Sequence, residues 1–309
     1  MDELLDFIDK HDEFVILGHE YPDGDCVGSA LVLAELLRDL GKTADVASAG
    51  PFEEMDSMTF QDEFYDEIDP TWQDRAVIFV DCASFSRTGF EPFGSGSIAI
   101  DHHPTKSEDS VGGFIDTSSP STTLLIARLA EELGLELTKE DAELLMLGFC
   151  TDTGCFRFLD GSSGEHIRVA ADLVDAGASP NETVMWLDSL FTLEDRMFLA
   201  KVMGEARLED GGRIVMFLLP DADLELSNRL DTETLNRMFL GIEGVEATVL
   251  MRVNTDGSTQ VGMRSKGNID VGKTAQEYGT GGGGHKKAAG FTTQESIEDC
   301  AAKLLDLLV

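Results

Sequence analysis

Three short apolar runs punctuate the first hundred residues: 14–18 (FVILG), 76–80 (AVIFV) and 97–100 (SIAI). Continuous apolar runs of this length are the pattern of strands buried on both faces, as in a parallel sheet. Around them the period lengthens to that of helices. The opening MDELLDFIDKHDEF is an acidic amphipathic helix, and 27–40 is helical, with Gly28, Ser29 and Ala30 allowing close approach at its start and Gly41 just past its end. Residues 45–49 begin another strand, and 51–72 are acidic and irregular. The stretch 119–133 opens on a Ser/Pro/Thr-rich run and turns helical. Residues 139–150 are helical and mostly apolar, hence buried, and helical patterns continue over 163–176 and 180–204.

Beyond residue 204 the rhythm is that of hairpins. One spans 205–219 around Asp210-Gly211-Gly212, and another joins 246–254 to 258–264 around Asp256-Gly257, with a helix near 231–240 between them. A short helix, a glycine-rich loop over 279–287, a strand and a C-terminal helix follow. The expected fold class is α/β: an N-terminal, mainly parallel sheet flanked by helices, and a smaller C-terminal α/β domain with a mixed sheet. The expected boundaries are 1–185 for the first domain, 186–204 for a helical linker and 205–309 for the second.

What the apolar runs end on carries the chemistry. Run 14–18 ends at His19-Glu20-Tyr21-Pro22-Asp23-Gly24-Asp25, run 76–80 at Asp81, run 97–100 at Asp101-His102-His103, and the helix 139–150 at Thr151-Asp152-Thr153-Gly154. In an open parallel sheet the ligand crevice lies outside the carboxyl ends of the strands, so these residues are expected to share one site. Four or five aspartates cannot crowd there as ions without counter-charge. Divalent cations supply it. One ion would use three or four of these ligands, and the inventory suffices for two sharing a carboxylate, an arrangement that clamps phosphoryl oxygens and holds a bridging hydroxide. Carboxylate and imidazole without thiolate suit Mn²⁺ best, with Mg²⁺, Co²⁺ or Zn²⁺ as alternatives.

The charge balance changes the picture of the partner. The 309 residues carry 59 acids against 23 Lys and Arg, a net −36 spread over the whole chain, which fits a salt-rich cytoplasm and disfavours long duplex DNA. Five cysteines without a C-x-x-C pair are expected to be reduced and buried. No apolar run approaches the roughly 20 residues of a membrane span, so a cytoplasmic, non-membrane protein is expected. The exception to the acidity lies late in the chain, where Arg264, Lys266, His285, Lys286 and Lys287 surround Gly281 to Gly284. Backbone N–H groups of Gly282, Gly283 and Gly284 beside these cations form an expected anion site. A metal domain and an anion-binding domain together describe an enzyme for phosphate esters.

These motifs resemble the DHH phosphoesterase superfamily over nearly the whole chain: HEYPDGD, VDCAS with Asp81, DHH at 101–103, TDTG with Asp152, and GGGGHKKAAGF as the DHH-associated C-terminal domain. The compact two-domain length resembles the nanoRNase branch of oligoribonucleases and 3′-phosphoadenosine 5′-phosphate (pAp) phosphatases more than full-length RecJ nucleases, and the ending differs from that of family II pyrophosphatases. The resemblance implies two Mn²⁺ ions, one at His19, Asp23 and Asp81, the other at Asp25, Asp81, His102 and Asp152. It implies further that His103 acts as acid or electrostatic stabiliser, that Asp101 orients both histidines, and that Arg264 with His285 grips the substrate phosphate. The implied partner is a short single-stranded oligonucleotide or phosphorylated nucleotide; a homodimer is left open. Polyphosphate or a cyclic dinucleotide is the alternative substrate, and a non-catalytic nucleotide-binding module the alternative class.

Overall fold

The computed structural model describes residues 1–52, 59–104, 108–159, 161, 163–219, 232–254 and 256–308. Residues 53–58 of the expected irregular stretch, and residue 231 of the expected helix near 231–240, lie outside them. The chain divides into two compact units, Met1–Leu190 and Phe191–Val309.

In the first unit the apolar runs become β1 (Glu13–Leu17), β3 (Ala76–Val80) and β4 (Gly96–Asp101), joined by β2 (Thr43–Ala47) and the short β5 (Gly113–Ile115). All pair in parallel, in the order β2-β1-β3-β4-β5. The runs are continuous because both faces are covered. Phe14, Ile16, Ile78, Val80, Ile98 and Ile100 face the helices α1 (Asp2–Lys10), α2 (Gly24–Asp39), α3 (Thr122–Leu133) and α4 (Lys139–Asp152). Val15, Leu17, Val77, Phe79 and Ala99 face Trp72 and Phe85, in short 3₁₀ turns, and Phe93 in a loop. Each such Val, Leu, Ile or Phe side chain contributes about 1.5–3 kcal/mol on burial. Strand order reverses between β1 and β3, which places the crevice of an open sheet at their carboxyl ends, where His19 and Asp81 leave the sheet. The unit closes with α5 (Gly164–Asp175) and α6 (Pro180–Ser189).

The pattern expected as one helix over 180–204 is broken. Thr192 starts a new helix, α7 (Leu193–Glu205), through a capping box in which its side chain and that of Asp195 satisfy each other's backbone N–H. Phe198, Leu199 and Val202 of α7 are buried with Val215, Phe217 and Leu235, so α7 is part of the second unit's core and not a free linker.

That unit is a six-stranded mixed sheet in the order β10-β11-β9-β8-β7-β6, built from β6 (Arg207–Glu209), β7 (Ile214–Leu219), β8 (Ala247–Val253), β9 (Thr259–Ser265), β10 (Gly283–His285) and β11 (Ala288–Thr293). Among the described residues, only β7 and β8 of this sheet pair in parallel. One face packs on α9 (Val271–Tyr278) and α10 (Ile297–Leu308), the other on α7 and α8 (Thr232–Leu240). Both predicted hairpins form, as β6–β7 and β8–β9. Part of the expected glycine loop is a strand instead: Gly283, Gly284 and His285 pair with Gly290, Ala289 and Ala288 at the sheet edge. Absence of side chains is what allows it. A Cβ on Gly284, where φ is +146°, would stand 2.4 Å from the Ala288 carbonyl oxygen. An edge strand still leaves one row of backbone groups unpaired by the sheet.

Candidate metal centre

His19 is the second residue after β1 and is nearly buried. Its Nδ1 lies 2.8 Å from the Glu20 carbonyl oxygen, which can only accept, so Nδ1 carries the proton and Nε2 is left facing Asp81 Oδ2 at 3.1 Å and Asp23 Oδ1 at 3.9 Å. Asp23 caps α2, accepting from the backbone N–H of Asp25 and Cys26, which fixes the turn that presents both carboxylates. Asp25, fully buried in the first turn of α2, accepts from Thr122 N at 2.6 Å, Thr123 N at 2.9 Å and Thr123 Oγ1 at 2.7 Å.

Asp81 follows β3 in a left-handed conformation, φ +57°, that aspartate tolerates better than most residues. Its Oδ2 faces His19, while Oδ1 accepts from Thr122 Oγ1 at 2.9 Å and lies 3.5 Å from His102 Nε2. His102 repeats the logic of His19. Its Nδ1 is 3.2 Å from the Ser119 carbonyl, and Nε2 points at Asp152 Oδ2 at 3.1 Å and Asp25 Oδ2 at 3.9 Å. Asp152 is the last residue of α4.

Candidate ligand atoms thus gather into three overlapping groups: His19, Asp23 and Asp81; Asp25, His102 and Asp152; and Asp81, His102 and His103, each within 4.8 Å. Two observations fit metal ions. Both histidines spend Nδ1 on a carbonyl and turn Nε2 toward carboxylate oxygens, a repulsive contact for a lone pair unless a cation or proton lies between. The His102 Nε2 atom, moreover, is buried without a hydrogen-bond partner. Electrostatics agree. Burial, reinforced by Asp25 and Asp23, pushes the Asp81 carboxyl well above the ordinary range. Burial first, then Asp25, pushes Asp152 up to about 7. Burial also raises the Cys26 and Cys82 thiols, and neither sulfur belongs to the three groups.

His103 is different. Its ring is 56% exposed, and both its backbone N–H and Nδ1 bond to Asp101 Oδ1, at 2.9 and 3.0 Å. Asp101 was expected to orient both histidines; among the described residues its carboxylate bonds to His103, the residue two ahead, as an Asx turn, while the Ser119 carbonyl oxygen accepts from His102 Nδ1. Sequence reasoning also missed Ser119, Thr122 and Thr123, whose signal was the Ser/Pro/Thr-rich start of α3.

A glycine completes the packing. A Cβ on Gly148 of α4 would stand 2.5 Å from Thr123 Cγ2, 2.7 Å from Asp25 Cα and 2.8 Å from Asp25 Oδ1. Gly to Ala inside a helix ordinarily gains about 0.5–1 kcal/mol. Here Gly148→Ala is expected to lower stability by about 1–3 kcal/mol instead, measured by urea unfolding, because α4 must move off Asp25.

The second unit holds the expected anion-binding residues. Arg264 lies on β9 opposite Ala288 of β11, and His285 is exposed on β10. Gly282 packs against Phe291, whereas a Cβ on Gly283 would meet nothing within 4 Å. Two of the surrounding cations are committed to the fold: Lys266 Nζ donates to the Leu240 and Ile242 carbonyls and Lys287 Nζ to that of Gly267.

Comparison with known proteins matches residues 13–149 to the DHH family, N-terminal domain, and residues 225–309 to the DHHA1 domain. A Thermus thermophilus protein named bifunctional oligoribonuclease and PAP phosphatase NrnA is 31% identical over 90% of this chain and 83% of its own length. Its Bacillus subtilis namesake is 30% identical over 93% and 91%. The chain belongs to the DHH family. It is, like these relatives, a hydrolase of phosphate esters, and the family's metal dependence accords with the donor groups above. The fold is shared with the crystal structure of an exopolyphosphatase-related protein from Bacteroides fragilis, at TM-score 0.83 and 21% identity over 99% of this chain and 94% of that one. RecJ of Thermus thermophilus with Mn²⁺ gives TM-score 0.53 at 17% identity, over 98% of this chain and 54% of that one. Among the described residues no helix is long and apolar enough to cross a membrane.

Proposed function

We propose that the chain is a Mn²⁺-dependent phosphoesterase that hydrolyses short single-stranded oligonucleotides from an end, pAp, or both, in the cytoplasm. One ion is held by His19, Asp23 and Asp81, the other by Asp25, Asp81, His102 and Asp152. The observation that carries this reading is the placement of Asp81, with Oδ2 toward His19 and Oδ1 toward His102, so that one carboxylate serves both groups. Bound there, divalent cations supply Lewis acidity toward phosphoryl oxygens and an attacking water ionised at neutral pH. The chain's own part is to hold the ligands and move protons. His103, fixed through Nδ1 by Asp101, keeps Nε2 for the departing oxygen of the substrate, toward which its doubly protonated, imidazolium form serves as acid or hydrogen-bond donor. Arg264, His285 and the backbone of Gly282, Gly283 and Gly284 take a substrate phosphate.

The activities in the relatives' names favour nucleotides as substrates. So do two aromatic residues near the ligands in sequence: Tyr21, two residues from His19, and Phe158, six beyond Asp152, are 54% and 59% exposed. Exposed aromatic faces cost solvation and suit nucleobases, not polyphosphate. A net charge of −36 opposes long polyanions. In high salt with Mn²⁺, di- to pentanucleotides and pAp are expected to turn over in preference to long strands, cyclic di-AMP and polyphosphate. Equal rates on long single strands, or preference for polyphosphate, would overturn the reading. Tyr21→Ala and Phe158→Ala are each expected to raise KM for a dinucleotide about 10- to 100-fold, from a stacking contribution of about 1–3 kcal/mol, and to leave KM for an abasic analogue unchanged.

A further inference from the structure

The start of α3 reaches further into the centre than a helix cap requires. Capping itself is done by Ser121, whose side chain accepts from Leu124 N. Thr122 and Thr123 are therefore free of that task, and both are fully buried with their hydroxyls turned to carboxylates: Thr122 Oγ1 to Asp81 Oδ1 at 2.9 Å, Thr123 Oγ1 to Asp25 Oδ1 at 2.7 Å. Their backbone N–H groups, two of the unsatisfied donors of a helix N-terminus, also point at Asp25. Ser121 Oγ lies 2.9 Å from Thr123 Oγ1, and the Ser119 carbonyl holds His102, so one turn fixes three of the candidate ligands.

We propose that Thr122 and Thr123 are positioning residues for metal binding, Thr123 orienting Asp25 and Thr122 orienting Asp81 so that their remaining lone pairs face the ions. The inference rests on the two-ion reading above. It deepens that reading by assigning the two threonines to different sites: Asp25 belongs to one ion, Asp81 to both. A hydroxyl that only filled space would be replaced by a methyl without effect on either ion. One that orients a ligand cannot be, because the carboxylate loses one of the donors that fix its rotation, Asp25 then keeping the backbone N–H groups of Thr122 and Thr123 alone, and with it part of the alignment that metal coordination needs.

The test is calorimetric titration of Mn²⁺ into the metal-stripped full chain, with the melting temperature of the metal-free form as a control on folding. Thr123→Val is expected to weaken one class of Mn²⁺ sites about 10- to 100-fold and leave the other as in the wild type; Thr122→Val is expected to weaken both. Thr122→Ser and Thr123→Ser, which keep the hydroxyl, are expected to restore most of the affinity. Should a valine variant fail to fold, Thr122→Ala and Thr123→Ala make the same comparison without crowding. Valine and alanine variants that fold and bind Mn²⁺ like the wild type would overturn the inference and leave the two-ion reading standing. Serine variants as weak as the valine ones would overturn it too, by tracing the loss to packing of the threonine methyl. A wild-type chain that binds no Mn²⁺ removes the two-ion reading and this inference with it.

Discussion

Asp81→Asn is expected to abolish metal-dependent hydrolysis and, in the same protein stripped of metal, to raise the melting temperature. Both effects come from one feature, a carboxylate only 3% exposed and crowded by Asp25, Asp23 and Asp152. Activity falls because an amide brings no charge to hold either ion. Several kcal/mol of transition-state stabilisation go with the ions, and at 1.36 kcal/mol per decade the loss is about 10³-fold or more. Stability rises because the same change removes a buried, crowded carboxyl that, without the cations, must either hold its charge or take up a proton, worth about 1–4 kcal/mol by analogy with other buried ionic groups. The backbone does not resist, since asparagine accepts the left-handed φ of +57°. Hydrogen bonding does not either: the amide oxygen can still accept from Thr122 Oγ1, and the new NH₂ can donate to His19 Nε2, 3.1 Å from the present Oδ2. At roughly 2–4 °C per kcal/mol for a unit of this size, melting in chelator should shift upward by several degrees. A variant that keeps a tenth of wild-type turnover, or melts lower than the wild type in chelator, would contradict the role given to Asp81.

The opposition between function and stability also explains what could be read from the sequence. Strands β1, β3 and β4 were legible because a strand buried on both faces shows as an unbroken apolar run, and nothing in a parallel sheet competes with that signal. Their ends were legible because polar, titratable residues stand where the apolar run stops. Strand β5, three residues with a single buried side chain, Phe114, carries too little pattern to be seen. Strand β10 was invisible for another reason. Glycines read as loop, and what made Gly283–His285 a strand was the close approach of Ala288 and Ala289 to Gly284, which no local pattern records. The break at Thr192 was in principle readable, as a Thr-x-x-Asp pair before an apolar stretch, but the flanking helical period concealed it. In the centre, the groups that touch the ions carry charge and so announce themselves. The residues that hold them are Ser119, Thr122 and Thr123, whose chemistry is ordinary at any helix start. Only the distances to Asp25, Asp81 and His102 separate their part from that of a cap.

Mn²⁺ is expected to raise the melting temperature by roughly 10–20 °C at pH 7.5, and by much less at pH 5. Two sites each held at 100 times Kd contribute about 2.7 kcal/mol apiece, and roughly 2–4 °C follow from each kcal/mol. The pH dependence follows from the groups that must lose protons. Burial pushes Asp152 up to about 7 and raises Asp25 and Asp81. Burial opposes the charge on His102, but Asp152, Asp81 and Asp25 together raise it to about 10. In the metal-free protein, then, the folded centre retains protons that the unfolded chain releases. For Asp152 the folded value lies above the ordinary 3.8, so the stabilising effect of its proton is fully present at low pH and is lost as pH rises toward about 7. Metal binding replaces those protons, and its stabilisation must grow over the range where theirs disappears. The general repulsion of 59 acids also eases on acidification, so the quantity to compare is the difference between melting in Mn²⁺ and in chelator at each pH. Calorimetry of Mn²⁺ binding at pH 7.5, in two buffers of different ionisation enthalpy, should register net proton release, and Asp152→Asn should reduce it. Equal melting with and without Mn²⁺ at pH 7.5, or a larger shift at pH 5, would mean that the crowded carboxylates are neutralised by something other than metal.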